Sequence, residues 1–140
     1  MTTKRLRSLS VMERVKELET REQAGVVGAL RARFDTLEQE RAALLARLFG
    51  ESHIDGLEGA PYLGRFIASI RAELERNGRE TARLTPDLAA AEEKLRAALS
   101  EQKTFEILRL STLRRQRKEA ARRAAAAQDL QTLQRWTRDP

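Results

Sequence analysis

Residues 61–105 read PYLGRFIASIRAELERNGRETARLTPDLAAAEEKLRAALSEQKTF, and the spacing within them decides the fold. Apolar or small residues recur at alternating steps of four and three. They are Leu63, Ile67, Ile70 and Leu74, then polar Asn77 and Thr81, then Leu84, Leu88, Ala91, Leu95, Ala98 and, past Gln102, Phe105. A repeat of about 3.5 residues lays one narrow stripe along a helix and calls for a matching stripe on a partner helix.

That partner is upstream. Leu30, Phe34, Leu37, Arg41, Leu44 and Leu48 keep the same steps and predict a first helix over 3–49. Before them the seam reads Val11, Val15, Leu18, Glu22 and Val26. Val26 to Leu30 to Phe34 is then two steps of four, a stutter expected to unwind the supercoil locally. Gly50 to Ala60 contains three glycines and predicts a loop, with Gly50 suited to ending one helix and Pro61 to starting the next. So short a loop between long helices makes them antiparallel neighbours. The expected fold class is all-α, a two-helix antiparallel coiled-coil hairpin spanning 1–140, with a longer second helix over 61–136.

A candidate break lies at 77–86. Asn77-Gly78 resembles a helix C-terminus, and Thr85-Pro86-Asp87 resembles a cap followed by proline in the first turn. The rival is three helices, 3–49, 61–77 and 86–135, in a short bundle. Against it, the heptad phase passes from Ile70 and Leu74 to Leu84 and Leu88 unchanged, which favours a single, kinked helix. Folding back near residue 55 sets residue n opposite roughly 110 − n. Lys4 to Arg7 then lie level with Lys103 to Glu106, and everything after Phe105 projects as a lone helix.

Composition agrees with this reading. Ala, Leu, Arg, Glu and Lys supply 84 of 140 residues, and β-branched residues are too few for a sheet. With no cysteine there is neither a disulfide nor a thiolate metal site. The opening Met1-Thr2-Thr3-Lys4-Arg5-Leu6-Arg7 lacks the apolar core of a secretory signal, and no stretch is apolar enough to enter a membrane. A cytoplasmic protein is expected. Its net charge of +6 is local: Lys4, Arg5 and Arg7 form one cluster, and seven basic residues against Glu119 fill Arg109 to Arg123.

Catalytic chemistry finds little footing. His53 is the single histidine and sits in the glycine-rich loop beside Ser52 and Asp55, so no histidine pair can hold zinc. Glu92-Glu93 points around one helix rather than across a cleft. Phosphate-cradling glycine motifs are absent, and a helix pair offers no dry concavity. No enzyme and no cofactor is expected.

Recognition is the remaining reading. The Arg-rich run could meet nucleic-acid phosphates, an acidic protein surface, or solvent alone. A basic zipper needs a dimerising heptad seam directly after the basic helix, and here alanines follow instead, so an acidic protein is preferred. Tyr62, Phe66 and Ile70 recur at steps of four just after the loop and suggest either a second docking stripe or a bulky plug.

Taken together, certain residues resemble the FliJ/YscO stalk proteins of flagellar and type III export. They are Arg5-Leu6-Arg7-Ser8-Leu9, Glu101-x-Lys103-x-x-Glu106-x-Leu108, the Arg-rich run, and Ala127-Gln128-Asp129-Leu130-Gln131-x-Leu133. The resemblance spans nearly the whole chain. It implies a non-enzymatic stalk that couples a hexameric export ATPase to the membrane export gate, with export chaperones as further partners, peripheral to the inner membrane. ATPase-side residues would be Lys4, Arg5, Arg7, Arg114, Arg115, Arg117 and Lys118; gate-side residues would be Tyr62, Phe66, Ile70 and Glu73. The alternative is a coiled-coil scaffold or nucleic-acid-binding protein that uses its basic C-terminal helix.

Overall fold

A computed structural model describes residues 2–50 and 59–138. Two helices account for all of them except Gly59: α1, Thr2–Gly50, and α2, Ala60–Arg138. The class is all-α, with no strand among the described residues. Most of the loop expected at 50–60 lies outside the described residues, as do Ser52, His53 and Asp55. α2 passes through 77–86 without interruption and carries Pro86 inside it, so the three-helix alternative is not the one adopted. Pro86 is exposed. There the carbonyl that its missing N–H would have bonded can turn to water.

Internal contacts divide the chain into two units. One is Arg21–Arg96; the other joins Met1–Thr20 to Ala97–Pro140. In each, a stretch of α1 packs antiparallel on a stretch of α2.

In the Arg21–Arg96 unit the seam is largely apolar. Leu37 and Ile70 are 1% and 2% exposed, Val27 is as deeply buried, and Leu30, Phe34, Leu44, Leu63, Leu74, Leu84 and Leu88 are half-buried beside them. These positions keep one heptad phase on each helix, so each row of side chains meets the other along its length. Asn77 is the polar member. Its side-chain amide donates a 2.8 Å hydrogen bond to the Leu37 carbonyl, taking that oxygen's second lone pair. This residue is therefore a cross-helix tie and not the helix end that Asn77-Gly78 suggested. A buried amide of this kind costs stability but penalises any slip that would leave it unpaired. At the flanks, Arg33 pairs with Glu80 and Arg31 with Glu92.

In the second unit the packed row of α1 is Leu6, Leu9, Glu13, Lys16 and Thr20, all half-buried. That corrects the expected seam. Val11, Val15 and Leu18 are 56%, 41% and 50% exposed, and Val26, on α1 in the first unit, is 44% exposed. Thr20, Gln23, Val27, Leu30 and Phe34 follow in unbroken steps of three and four, so there is no stutter. The physical reason is the α2 row, which continues in strict heptads. An α1 that changed phase midway would turn its stripe away from it.

On α2 of this unit the packed row runs Ala98, Gln102, Phe105, Arg109, Thr112 and Gln116, with Ala98 and Thr112 buried. Packing thus reaches Gln116 rather than ending at Phe105, while Ile107, Leu108 and Leu110 face outward.

The register also differs from the simple fold-back. Leu37 pairs with Asn77, Lys16 with Glu101 and Glu13 with Arg109. These three partners therefore lie four, seven and twelve residues later on α2 than 110 − n. Projected at equal rise on both helices from Lys16–Glu101 and Glu13–Arg109, Lys4 lies level with residues 113 to 118 and Arg7 with residues 110 to 115.

Two substitutions test the seam by urea unfolding. Ile70→Ala is expected to cost about 2–5 kcal/mol as a cavity in the buried row. Gly78→Ala should gain up to about 1 kcal/mol, since nothing lies within 4 Å of the position its Cβ would take.

Candidate binding surface

The unit containing both chain ends is built from charge. It carries fifteen basic and eight acidic residues, a net +7, which leaves −1 for Arg21–Arg96. Within its seam the charges are matched. The Arg109 guanidinium donates to Glu13, and this hydrogen bond, ahead of the Coulombic attraction of the same carboxylate, raises the Arg109 pKa. Lys16 sits 2.7 Å from Glu101 and 3.2 Å from Glu19, and its pKa is raised mainly by the hydrogen bond to Glu101. Arg109 is therefore a pairing residue of the hairpin, although it opens the Arg-rich run.

Beyond Arg109 the pattern changes. Arg114, Arg115, Arg117 and Lys118 are exposed, as are Arg122 and Arg123, and none of these six pairs with an acidic group among the described residues. Lys4, Arg5 and Arg7 are exposed too, and likewise unpaired among the described residues. All seven ATPase-side candidates from the sequence are thus exposed and lie in the same unit.

From residue 117 to 138 every position of α2 is exposed. By the same register α1 begins opposite about residue 120, so no α1 residue is left to cover the rest. Leu130, Leu133 and Trp136 are 58%, 64% and 82% exposed on that segment. Ala120, Ala121 and Ala124 to Ala127 favour a helix but have little side chain to bury. A helix of this kind is ready to lie against something else.

The second candidate set, in the Arg21–Arg96 unit, is less uniform. Tyr62 is 62% exposed and available to a partner. Phe66 is half-buried, with the Arg47 guanidinium 5.7 Å from its ring centroid. Glu73 is half-buried and lines a surface groove of about 370 Å³ with Glu40, Arg47, Arg76, Asn77 and Glu80. Ile70 does not belong with them. At 2% exposure it is part of the helix–helix core and cannot also offer its side chain to another protein.

No group of three or more metal-ligating residues occurs among the described residues, and Glu80 of the surface groove pairs with Arg33. Among the described residues no helix is long and apolar enough to cross a membrane. No family model, curated protein or solved structure matches this chain.

The seam ion pairs give a pH signature. Because the folded-state pKa of Lys16 is raised, its stabilisation is fully present below the ordinary value of 10.5 and is lost as pH rises through the higher folded-state value. Circular dichroism between pH 9 and 12 should show alkaline loss of helix in the native chain, and a smaller loss in Lys16→Met.

Proposed function

We propose that this protein is a non-enzymatic coiled-coil stalk of a flagellar or type III export apparatus, linking an export ATPase ring to the membrane export gate. One observation carries the reading: Lys4, Arg5, Arg7, Arg114, Arg115, Arg117 and Lys118, unpaired among the described residues, gather on one unit, which also holds the stretch 117–138 of α2, exposed throughout. Such a surface suits an acidic, concave partner. Long-range attraction speeds the encounter, and the bare helix then supplies contact area. The resemblance to FliJ/YscO proteins supplies the identity of that partner as a hexameric export ATPase, with export chaperones and the gate protein completing the set.

Mechanism on this reading is steric and electrostatic. An asymmetric helix pair held by the ring touches its subunits unequally, and each nucleotide state that prefers one contact over another shifts the balance among them. Tyr62 and Phe66, with Glu73 beside them, would face the gate. Ile70 would act only by holding α2 in place.

Charge reversal tests the ATPase side. Arg114→Glu, Arg115→Glu and Arg117→Glu together should abolish binding to the export ATPase in a pull-down or by calorimetry, with helicity unchanged. Undiminished binding would remove this surface from the proposal. On the gate side, Tyr62→Ala should weaken association with the cytoplasmic part of the gate protein while leaving the thermal midpoint unmoved.

A further inference from the structure

The heptad phase of α2 does not stop where α1 stops. From Ala98 the packed row runs Gln102, Phe105, Arg109, Thr112 and Gln116, in steps of four and three. Carried on unchanged, the same steps reach Glu119, Arg123, Ala126, Leu130, Leu133 and Thr137. Leu130 and Leu133 fall on that phase, Trp136 flanks it, and all three are more than half exposed. The face of α2 that packs on α1 along the paired stretch thus continues over 117–138, about 33 Å of helix, with no α1 residue against it. It is a coiled-coil seam short of its second helix.

Charge says what kind of helix suits it. The segment carries Arg117, Lys118, Arg122, Arg123, Arg135 and Arg138 against Glu119 and Asp129, a net +4. On a helix about 10 Å across, all of them lie within roughly one Debye length of anything packed on the row. A second copy would set +4 against +4. A nucleic-acid strand would satisfy the arginines and leave Leu130 and Leu133 unburied. An acidic helix with apolar residues at heptad spacing meets both demands. The start of α1 adds a direction. Its first turn holds Lys4 and Arg5 and no acidic residue, and its free N–H groups and dipole make that end positive. A helix laid in line with α1 and running the same way brings its negative C-terminal end there; the reverse direction brings two positive ends together.

We infer that 117–138 is a docking seam for an acidic amphipathic helix of another protein, which lies beside α2 where α1 has ended and runs antiparallel to α2. The inference rests on the acidic-partner reading of this unit and deepens it by naming how that partner binds. The seam holds Glu119, Arg123 and Ala126 as well as its leucines, so the interface is small and its affinity falls with salt.

Trp136 is the chain's one tryptophan, so its emission reports on the seam directly. The probe is a synthetic three-heptad peptide with leucine at the two seam positions of each heptad, glutamate at the flanking positions and alanine elsewhere. A control peptide carries lysine for glutamate. The acidic peptide should move the emission of the full chain to the blue and saturate, several-fold more weakly in high salt, and the lysine peptide should leave it unmoved. Leu130→Ser with Leu133→Ser should weaken the acidic peptide at least tenfold without shifting the thermal midpoint, since neither residue meets α1. Direction is read by disulfide formation. The chain has no cysteine, so Thr3→Cys, at an exposed position, should couple to an acidic peptide that ends in cysteine and not to one that begins with it. No response, equal responses to the two peptides, a blue shift that follows chain concentration alone, or coupling to the N-terminal cysteine would each overturn the inference. No ATPase enters the assay, so such a result leaves the stalk reading standing. That reading is decided separately by the Arg114, Arg115 and Arg117 reversals, none of which lies on the seam row.

Discussion

Everything in this molecule follows from two helices having to share one heptad phase. Leu30, Leu37, Leu44 and Leu48 set the rotation of α1 about its own axis in the Arg21–Arg96 unit, where Leu37 and Ile70 are nearly inaccessible to solvent. The residues before Leu30 keep the same steps of three and four. Residues 6 to 20 accordingly bring Glu13, Lys16 and Thr20 to the partner helix, although Val11, Val15 and Leu18 would have buried more apolar surface there.

The two units are consequently held by different forces. Apolar burial and the Asn77–Leu37 hydrogen bond dominate in Arg21–Arg96. Ion pairs across a half-buried seam dominate in the other unit, with small Ala98 and Thr112 as its deepest residues. Exposed or half-exposed ion pairs contribute little net stability and are screened by salt. The unit that holds the exposed basic residues is therefore the more readily opened one.

Much of the fold was legible beforehand. The seam from Leu63 to Phe105 and the one from Leu30 to Leu48 were readable because large apolar residues recur there without competition. Three features escaped. Val11, Val15 and Leu18 formed a convincing but outward-facing repeat, because hydrophobicity identifies an apolar face and not the element that covers it. Arg109 looked like one more solvated cation, since its partner Glu13 lies on the other helix and only the register reveals the pairing. Asn77-Gly78 looked like a helix end, because the carbonyl that Asn77 bonds lies forty positions earlier. One signal was available for the first of these: carrying the Leu30–Leu48 phase backward without a stutter leads to Val27, Gln23, Thr20, Lys16 and Glu13. The basic clusters were legible as composition, but the level of Lys4 to Arg7 along α2 rested on a register that a loop length alone sets only loosely.

The uncovered stretch of α2 has a further consequence for the lifetime of the chain. Arg117, Lys118, Arg122, Arg123, Arg135 and Arg138 are trypsin sites on a helix with no neighbour from α1 to hold it wound. Proteolysis should shorten the protein stepwise from that end, sparing the paired region, and any occupant of the segment would erase the ladder. Digestion patterns would thus report occupancy directly, and inside a cell the unoccupied protein would be the form cleared first.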